Sequence, residues 1–157
     1  MTDVLIYWRD FERNVADGRV HAWYSNSNML AGLEPGDRLW MVTSGANTGN
    51  AARQAGFLVA IWEVAKVVEN PNDDPTYLRD DYRYRVICDR EKAVEFAQPI
   101  LVDHLLRPEG RDKTISIGTF LQGPRKLSEQ KVRLLRAAAG PDLALKWLTG
   151  KRHSAAK

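Results

Sequence analysis

The feature that most limits how this chain can fold is the apolar run at residues 57–68. Phe57, Leu58, Val59, Ala60, Ile61 and Trp62 are apolar on both parities, whereas Glu63, Lys66 and Glu69 bring polarity into the second half. β-Branched and aromatic residues in such a run specify a strand. A strand apolar on both faces lies deep in a sheet, and an alternating one has a face toward solvent. The run therefore predicts one long strand that starts in the interior and emerges at the surface.

Shorter strands are predicted around it. Val4, Leu5, Ile6, Tyr7 and Trp8 form a buried strand, and 38–43 another, launched by the turn Glu34, Pro35, Gly36, Asp37 with Pro and Gly in type II positions. Residues 82–88 alternate, 99–102 begin a short strand, and 114–120 read as the last one. Residues 9–19 hold one short helix before the Asp17-Gly18 turn, and Ser27 or Asn28 can cap another through Leu33. Residues 44–56, rich in Gly, Ala and Asn, predict an exposed mobile loop. Residues 70–79 are a polar loop, and 107–113 a charged turn.

Near the end, Leu127 and Val132 are spaced as a hydrophobic staple around an N-cap at Ser128, and Gly140-Pro141 stops that helix. A second short helix is expected at 142–148. The fold class is thus α+β, with strands that do not alternate regularly with long helices, so a doubly wound parallel sheet is disfavoured. One domain over 1–149 and a frayed basic tail at 150–157 complete the organisation.

The chain has 157 residues, 44% hydrophobic and 27% charged, the balance of a soluble globular domain. A net charge of +3 permits a polyanionic partner without requiring one. The single cysteine, Cys88, allows no intrachain disulfide and fits a reducing cytoplasm. One Cys and three separated His (His21, His104, His153) do not make a structural zinc site. No cofactor is expected, no signal peptide is evident at the start, and no apolar run approaches a membrane span.

Catalytic chemistry finds little support. Cys88 reads as a core residue in mid-strand. His104 reads as a partly buried histidine beside Leu105 and Leu106, and His21 as a packing or loop residue. Asp73, Asp74, Asp80 and Asp81 fall in a solvated loop. The glycines at 45 and 49 lack the Gly-Lys-Ser/Thr ending of a phosphate loop.

The aromatic pattern is more informative. Trp8, Trp23, Trp40 and Trp62 all fall in the first 62 residues. Trp40 and Trp62 read equally well as core. Trp23 runs directly into Ser25, Asn26, Ser27 and Asn28, so a flat aromatic wall stands beside amides and hydroxyls. That pairing suits a planar polar ligand: the ring stacks on its face and Asn or Ser bonds its edge. A nucleobase, modified or not, is such a ligand.

Taken in order, these residues resemble a known family. Tyr7-Trp8, Trp23 with its Ser/Asn positions, Pro35-Gly36-Asp37, a strand ending at Thr43-Ser44, the run 59–64, Asp74-Pro75-Thr76 and the Leu127-Ser128 helix start resemble the EVE domains of the PUA-like superfamily, relatives of the YTH readers of methylated adenosine. The resemblance spans residues 3–139. Arg9, Asp10, Phe11 and Glu12 stand where EVE chains carry a Lys-Ser-Glu-Pro-like stretch, and of the Arg-Asn after the second tryptophan only Asn26 is kept. The resemblance implies a PUA-like mixed β pseudo-barrel with flanking short helices and a C-terminal helix, holding a pocket for a nucleobase.

The expected function is a non-catalytic nucleic-acid-binding module. Trp23, Asn26 and neighbours Ser25, Ser27 and Asn28 would form the pocket, with Trp8, Trp40, Thr43 and Ser44 as further walls and Phe120 closing it. Two alternatives stay open: a small enzyme acting on a nucleotide-like substrate, which needs His21 or His104 near a carboxylate in the pocket, and a protein-interaction module with packed tryptophans and no cleft.

Overall fold

The computed structural model describes residues 1–107 and 115–140. The predicted turn at 107–113 beyond Arg107, the helix at 142–148 and the basic tail at 150–157 lie outside them.

The organising element is β4 (Gly56–Glu69), 14 residues long. Its first seven residues are buried, and exposure begins in the second half. The reason is its pairing. The first half lies between β3 (Arg38–Ser44) and β6 (Val94–Leu101), and the second half turns out to pair with β5 (Tyr84–Cys88). Register shifts between Leu58 and Ala60 and between Val64 and Lys66 bend the strand as it changes partners.

β1 (Asp3–Tyr7) runs parallel to β3, and β7 (Arg125–Lys126) caps it antiparallel. β2 (Ala22–Ser25) pairs with β5. The described strands make a mixed sheet in the order β2-β5-β4-β3-β1-β7, with β6 also on β4. It does not close on itself, and β2 and β7 are its two ends.

Strand alternation divides the core between the two faces of the sheet. Val4, Ile6 and Trp8 pack with Leu39, Met41, Ala60 and Trp62 on one face. Leu5, Trp40, Val42, Leu58 and Ile61 pack on the other, beneath α4 (Asp103–Leu106), α5 (Ile117–Leu121) and α6 (Glu129–Ala139). Helix α6 starts as the sequence indicates, with the Ser128 hydroxyl accepting the Lys131 N–H at 3.1 Å. Helix α2 (Asn28–Ala31) is capped by Ser27, and α1 (Phe11–Ala16) occupies the predicted short-helix stretch.

Four local expectations need correction. The described part of the predicted strand 114–120, residues 115–120, is not a strand: Ser116 caps α5, and Ile117 and Leu121, four apart, are both buried against the sheet. The stretch 44–56 is not wholly exposed: α3 (Gly45–Thr48) begins at buried Ser44 and Gly45. β6 begins at Val94, well before residue 99. Trp23 and Tyr24 lie in edge strand β2, a strand not among those predicted, and Ser25 ends it.

Candidate functional site

A cavity of about 410 Å³ opens where β1 ends, beside α1, β2 and the loop 70–83. Trp8, Trp23, Tyr24, Tyr77 and Tyr82 supply its aromatic lining, and Asn14, Asp10 and Arg19 its polar groups. Its size is that of a small-molecule site, mostly apolar with a few placed polar groups.

The rings hold one another in fixed geometry. Trp8 meets Trp23 edge to face at 6.5 Å and rests on Trp62 at 4.9 Å. Tyr24 stacks on Tyr77 at 4.6 Å and 5°, and Tyr82 meets Tyr77 edge-on at 5.2 Å. Offset and edge contacts of this kind stabilise aromatic pairs beyond the area they bury.

A hydrogen-bond chain ties the strand side of the cavity to the loop side. The Trp8 indole N–H donates to Asn14 Oδ1 at 2.8 Å, and Asn14 Nδ2 donates to the Tyr77 hydroxyl at 2.9 Å. Asn14 and Trp8 are both buried. Arg19 lies near the Tyr77 ring and donates from Nε to Asp74 Oδ2 at 2.9 Å. That hydrogen bond holds the Arg19 guanidinium above its ordinary pKa. Partial burial works against the charge of Asp74, but the Thr76 N–H and Arg19 outweigh it and keep the carboxyl below its usual range.

The loop itself is well anchored. Asn70, fully buried, donates from Nδ2 to the carbonyls of Tyr77 and Tyr82, both at 2.8 Å. Asn26 clamps the same loop from β2, donating to the Asp81 carbonyl and accepting the Arg83 N–H at 2.7 Å.

The sequence-predicted site residues therefore separate. Trp8 and Trp23 come together in the cavity. Ser25 and Asn26 line an adjoining groove, with Asn26 engaged in the loop clamp and the Ser25 hydroxyl accepting the Ser27 N–H at 3.0 Å. Ser27 caps α2, and Asn28 is exposed at its start. Trp40 lies on the opposite face of the sheet, fully buried, because it is one residue out of phase with Leu39 and Met41. Thr43 is fully buried and donates to the Trp8 carbonyl at 2.7 Å. Ser44 lines a separate depression with Arg107 and Ser116. Phe120, half-buried on α5, sits between the guanidinium groups of Arg107 and Arg125. Neither Trp40, Thr43, Ser44 nor Phe120 lines the aromatic cavity.

Sequence reasoning missed Asn14, Arg19, Tyr77 and Tyr82. Two tyrosines in an otherwise polar loop were the available signal, since such rings need a surface to pack on. The histidines lie elsewhere. His21 is buried with a positive φ of 65° and Nε2 3.3 Å from Glu95 Oε2, and His104 is exposed on α4 rather than partly buried. Neither lines the cavity. Among the described residues no group of His, Cys, Asp and Glu is placed to hold a metal ion, and no helix is long and apolar enough to cross a membrane.

No family model and no curated protein matches the sequence. Solved structures do. The ASCH protein of Zymomonas mobilis superposes at a TM-score of 0.52 and 11% identity, over 86% of this chain and 94% of that one. A Pseudomonas putida protein gives 0.52 at 13% identity, over 87% and 98%. Human THYN1, solved in complex with DNA containing 5-methylcytosine, gives 0.48 at 10% identity, over 90% and 99%. The likeness to the Zymomonas mobilis and Pseudomonas putida structures is one of fold: an unclosed mixed sheet with short flanking helices and a later helix packed on one face.

Proposed function

We propose that this chain is a non-catalytic nucleic-acid-binding module that receives a nucleobase, modified or unmodified, in the aromatic cavity. The observation that carries this reading is the enclosure of one cavity by Trp8, Trp23, Tyr24, Tyr77 and Tyr82 around the Asn14 amide. A planar heterocycle matches both halves of that lining. Its face contacts rings, and its edge meets hydrogen-bonding groups.

The polar groups are already oriented. The Tyr77 hydroxyl accepts from Asn14, so its own proton remains available to a ring carbonyl or ring nitrogen. Asp10, pairing with exposed Arg9 and Arg13, sits at the rim. The functional groups of the lining are tryptophans, tyrosines, Asn14, Asp10 and Arg19, which stack on a ring and hydrogen-bond its edge.

Intrinsic tryptophan fluorescence tests the reading, because Trp8 and Trp23 both border the cavity. Titration with short oligonucleotides carrying unmodified or methylated bases should quench emission in a base-dependent way. Trp23→Ala should abolish the base preference while leaving the fold intact by circular dichroism. Equal affinity of Trp23→Ala and the parent for every oligonucleotide would refute the assignment.

A further inference from the structure

The aromatic cavity continues into a second one along the open edge of the sheet. A groove of about 340 Å³ shares Tyr7, Trp23, Tyr24 and Tyr82 with it and extends to Gly123 and Pro124. It therefore lies between β2 and the segment entering β7, the two ends of the unclosed sheet. The backbone of Gly118 forms part of its floor, so close to the Tyr7 ring that a Cβ there would stand 2.5 Å from Cε2.

Beyond Pro124 the chain becomes basic. Arg125 and Lys126 form β7. Lys126 then lines a third depression, about 480 Å³, together with Arg38, Arg133 and Arg136. The carboxylates bordering it are Asp3 and Glu129. Asp3 is committed to Arg38 at 3.1 Å and to the Trp40 indole N–H at 2.9 Å. Among the described residues of the lining, four cations face two carboxylates. Burial and the neighbouring Arg38 charge push the Arg136 guanidinium below its ordinary pKa against the pull of Asp3. An anion in this depression meets the exposed side chains of Lys126 and Arg133.

The two ends of this path are joined by β1. Tyr7 stands at the aromatic end and Asp3 at the basic end, so four residue steps of roughly 3.3 Å separate them, about 13 Å. A few nucleotides span that distance.

We infer that the open seam of the sheet, strand β7 and the basic depression beside α6 form one track for the sugar–phosphate backbone of a nucleic-acid strand whose base enters the aromatic cavity. This rests on the base-binding reading above. The base end supplies discrimination and the basic end supplies sequence-independent, salt-dependent affinity.

The test is fluorescence anisotropy of a labelled single-stranded oligonucleotide with the full chain, titrated at several salt concentrations. The double variant Lys126→Gln/Arg133→Gln removes two exposed cations of the depression. Each lost phosphate contact lowers the slope of log K against log salt by about 0.7 for single strands, so the pair should lower it by about 1.4. The loss in affinity should be similar for all sequences. Lys66→Gln/Arg90→Gln, an equal charge change at exposed positions off the track, should leave the slope near that of the parent. Trp23→Ala should lose base preference with its slope retained. Equal slopes for the two double variants overturn the track, whatever Trp23→Ala does. A reduced slope confined to Lys126→Gln/Arg133→Gln, with Trp23→Ala unchanged in base preference, upholds the track and removes the base reading instead. Absence of any salt-sensitive binding by the parent overturns the track as well.

Discussion

Asn14→Ala isolates the link between the two walls of the cavity. Asn14 is 7% exposed and Trp8 2%, and the Trp8 indole N–H has the Asn14 carbonyl oxygen as its hydrogen-bond partner at 2.8 Å. Truncation leaves that donor buried and unpaired, at a cost of about 1–3 kcal/mol. The Tyr77 hydroxyl also loses a donor at 2.9 Å, but it borders the cavity and water can replace Asn14 there, so this adds less than about 1 kcal/mol. Alanine is the better helix former in α1 and returns about 0.5 kcal/mol. The net expectation is a destabilisation of about 2 kcal/mol. For a domain of this size that lowers Tm by roughly 4–8 °C. Urea unfolding followed by tryptophan fluorescence measures it directly. Tyr77→Phe should cost about 1 kcal/mol, and the Asn14→Ala/Tyr77→Phe double variant should fall short of the sum, because both changes break the same bond. A parent-like urea midpoint for Asn14→Ala, or strict additivity in the cycle, refutes the linked-wall argument.

Cys88 is buried on β5, and desolvation, with Asp89 adding its charge, pushes its thiol from 9.0 up to about 12. Below pH 9.0 both folded and unfolded chains hold the proton and stability is unaffected. Between pH 9.0 and about 12 only the unfolded chain gives it up, so stability falls as pH rises, by about 1.4 kcal/mol per pH unit at most. Cys88→Ala should flatten this part of the urea-midpoint profile, and Cys88 in the folded parent should resist alkylation. Arg107, with its side chain 1% exposed, donates to Asp103 at 3.0 Å and to the carbonyls of Ile115 and Gln54 at 2.7 and 2.8 Å. Arg107→Met breaks the buried ion pair, leaving Asp103 with the Gly56 N–H at 2.9 Å, and should cost about 3 kcal/mol by denaturant unfolding, with Arg107→Met/Asp103→Asn costing less than the sum of the two single changes.

The elements legible in the sequence were those set by local chemistry. The Pro35-Gly36 turn needs a residue with positive φ, and Gly36 has a φ of 96°. Ser128 and Ser27 cap as hydroxyls do at a helix start. The long run in β4 carried its own burial gradient, because two neighbouring strands cover its first half. What escaped was decided by tertiary contact. Thr114 to Phe120 alternates like a strand, but Gly118 is packed against the Tyr7 ring and the helix brings Ile117 and Leu121 onto the core together. Gly45 looked like loop flexibility. It is a close approach instead, since a Cβ there would stand 2.0 Å from the Ala52 carbonyl oxygen.

The same division explains which half of the candidate site could be read. A tryptophan beside Ser and Asn marks a place where a ring and hydrogen-bonding groups meet, and Trp23 does border the cavity. Which groups face inward depends on what else the chain must hold. The loop 70–83 has little apolar surface to anchor it, and the Asn26 amide spends both its donor and its acceptor on the Asp81 carbonyl and the Arg83 N–H. In the proposed reading the edge-bonding task falls instead to the Tyr77 hydroxyl, which Asn14, more than 60 residues away, holds by one bond. Trp40 makes the complementary point. A shift of one residue along β3 moves a side chain through the sheet, so an indole that composition alone places with the others is core on the far face. Aromatic content identifies a ring-lined cavity; strand phase and the anchoring of one polar loop select the residues that line it.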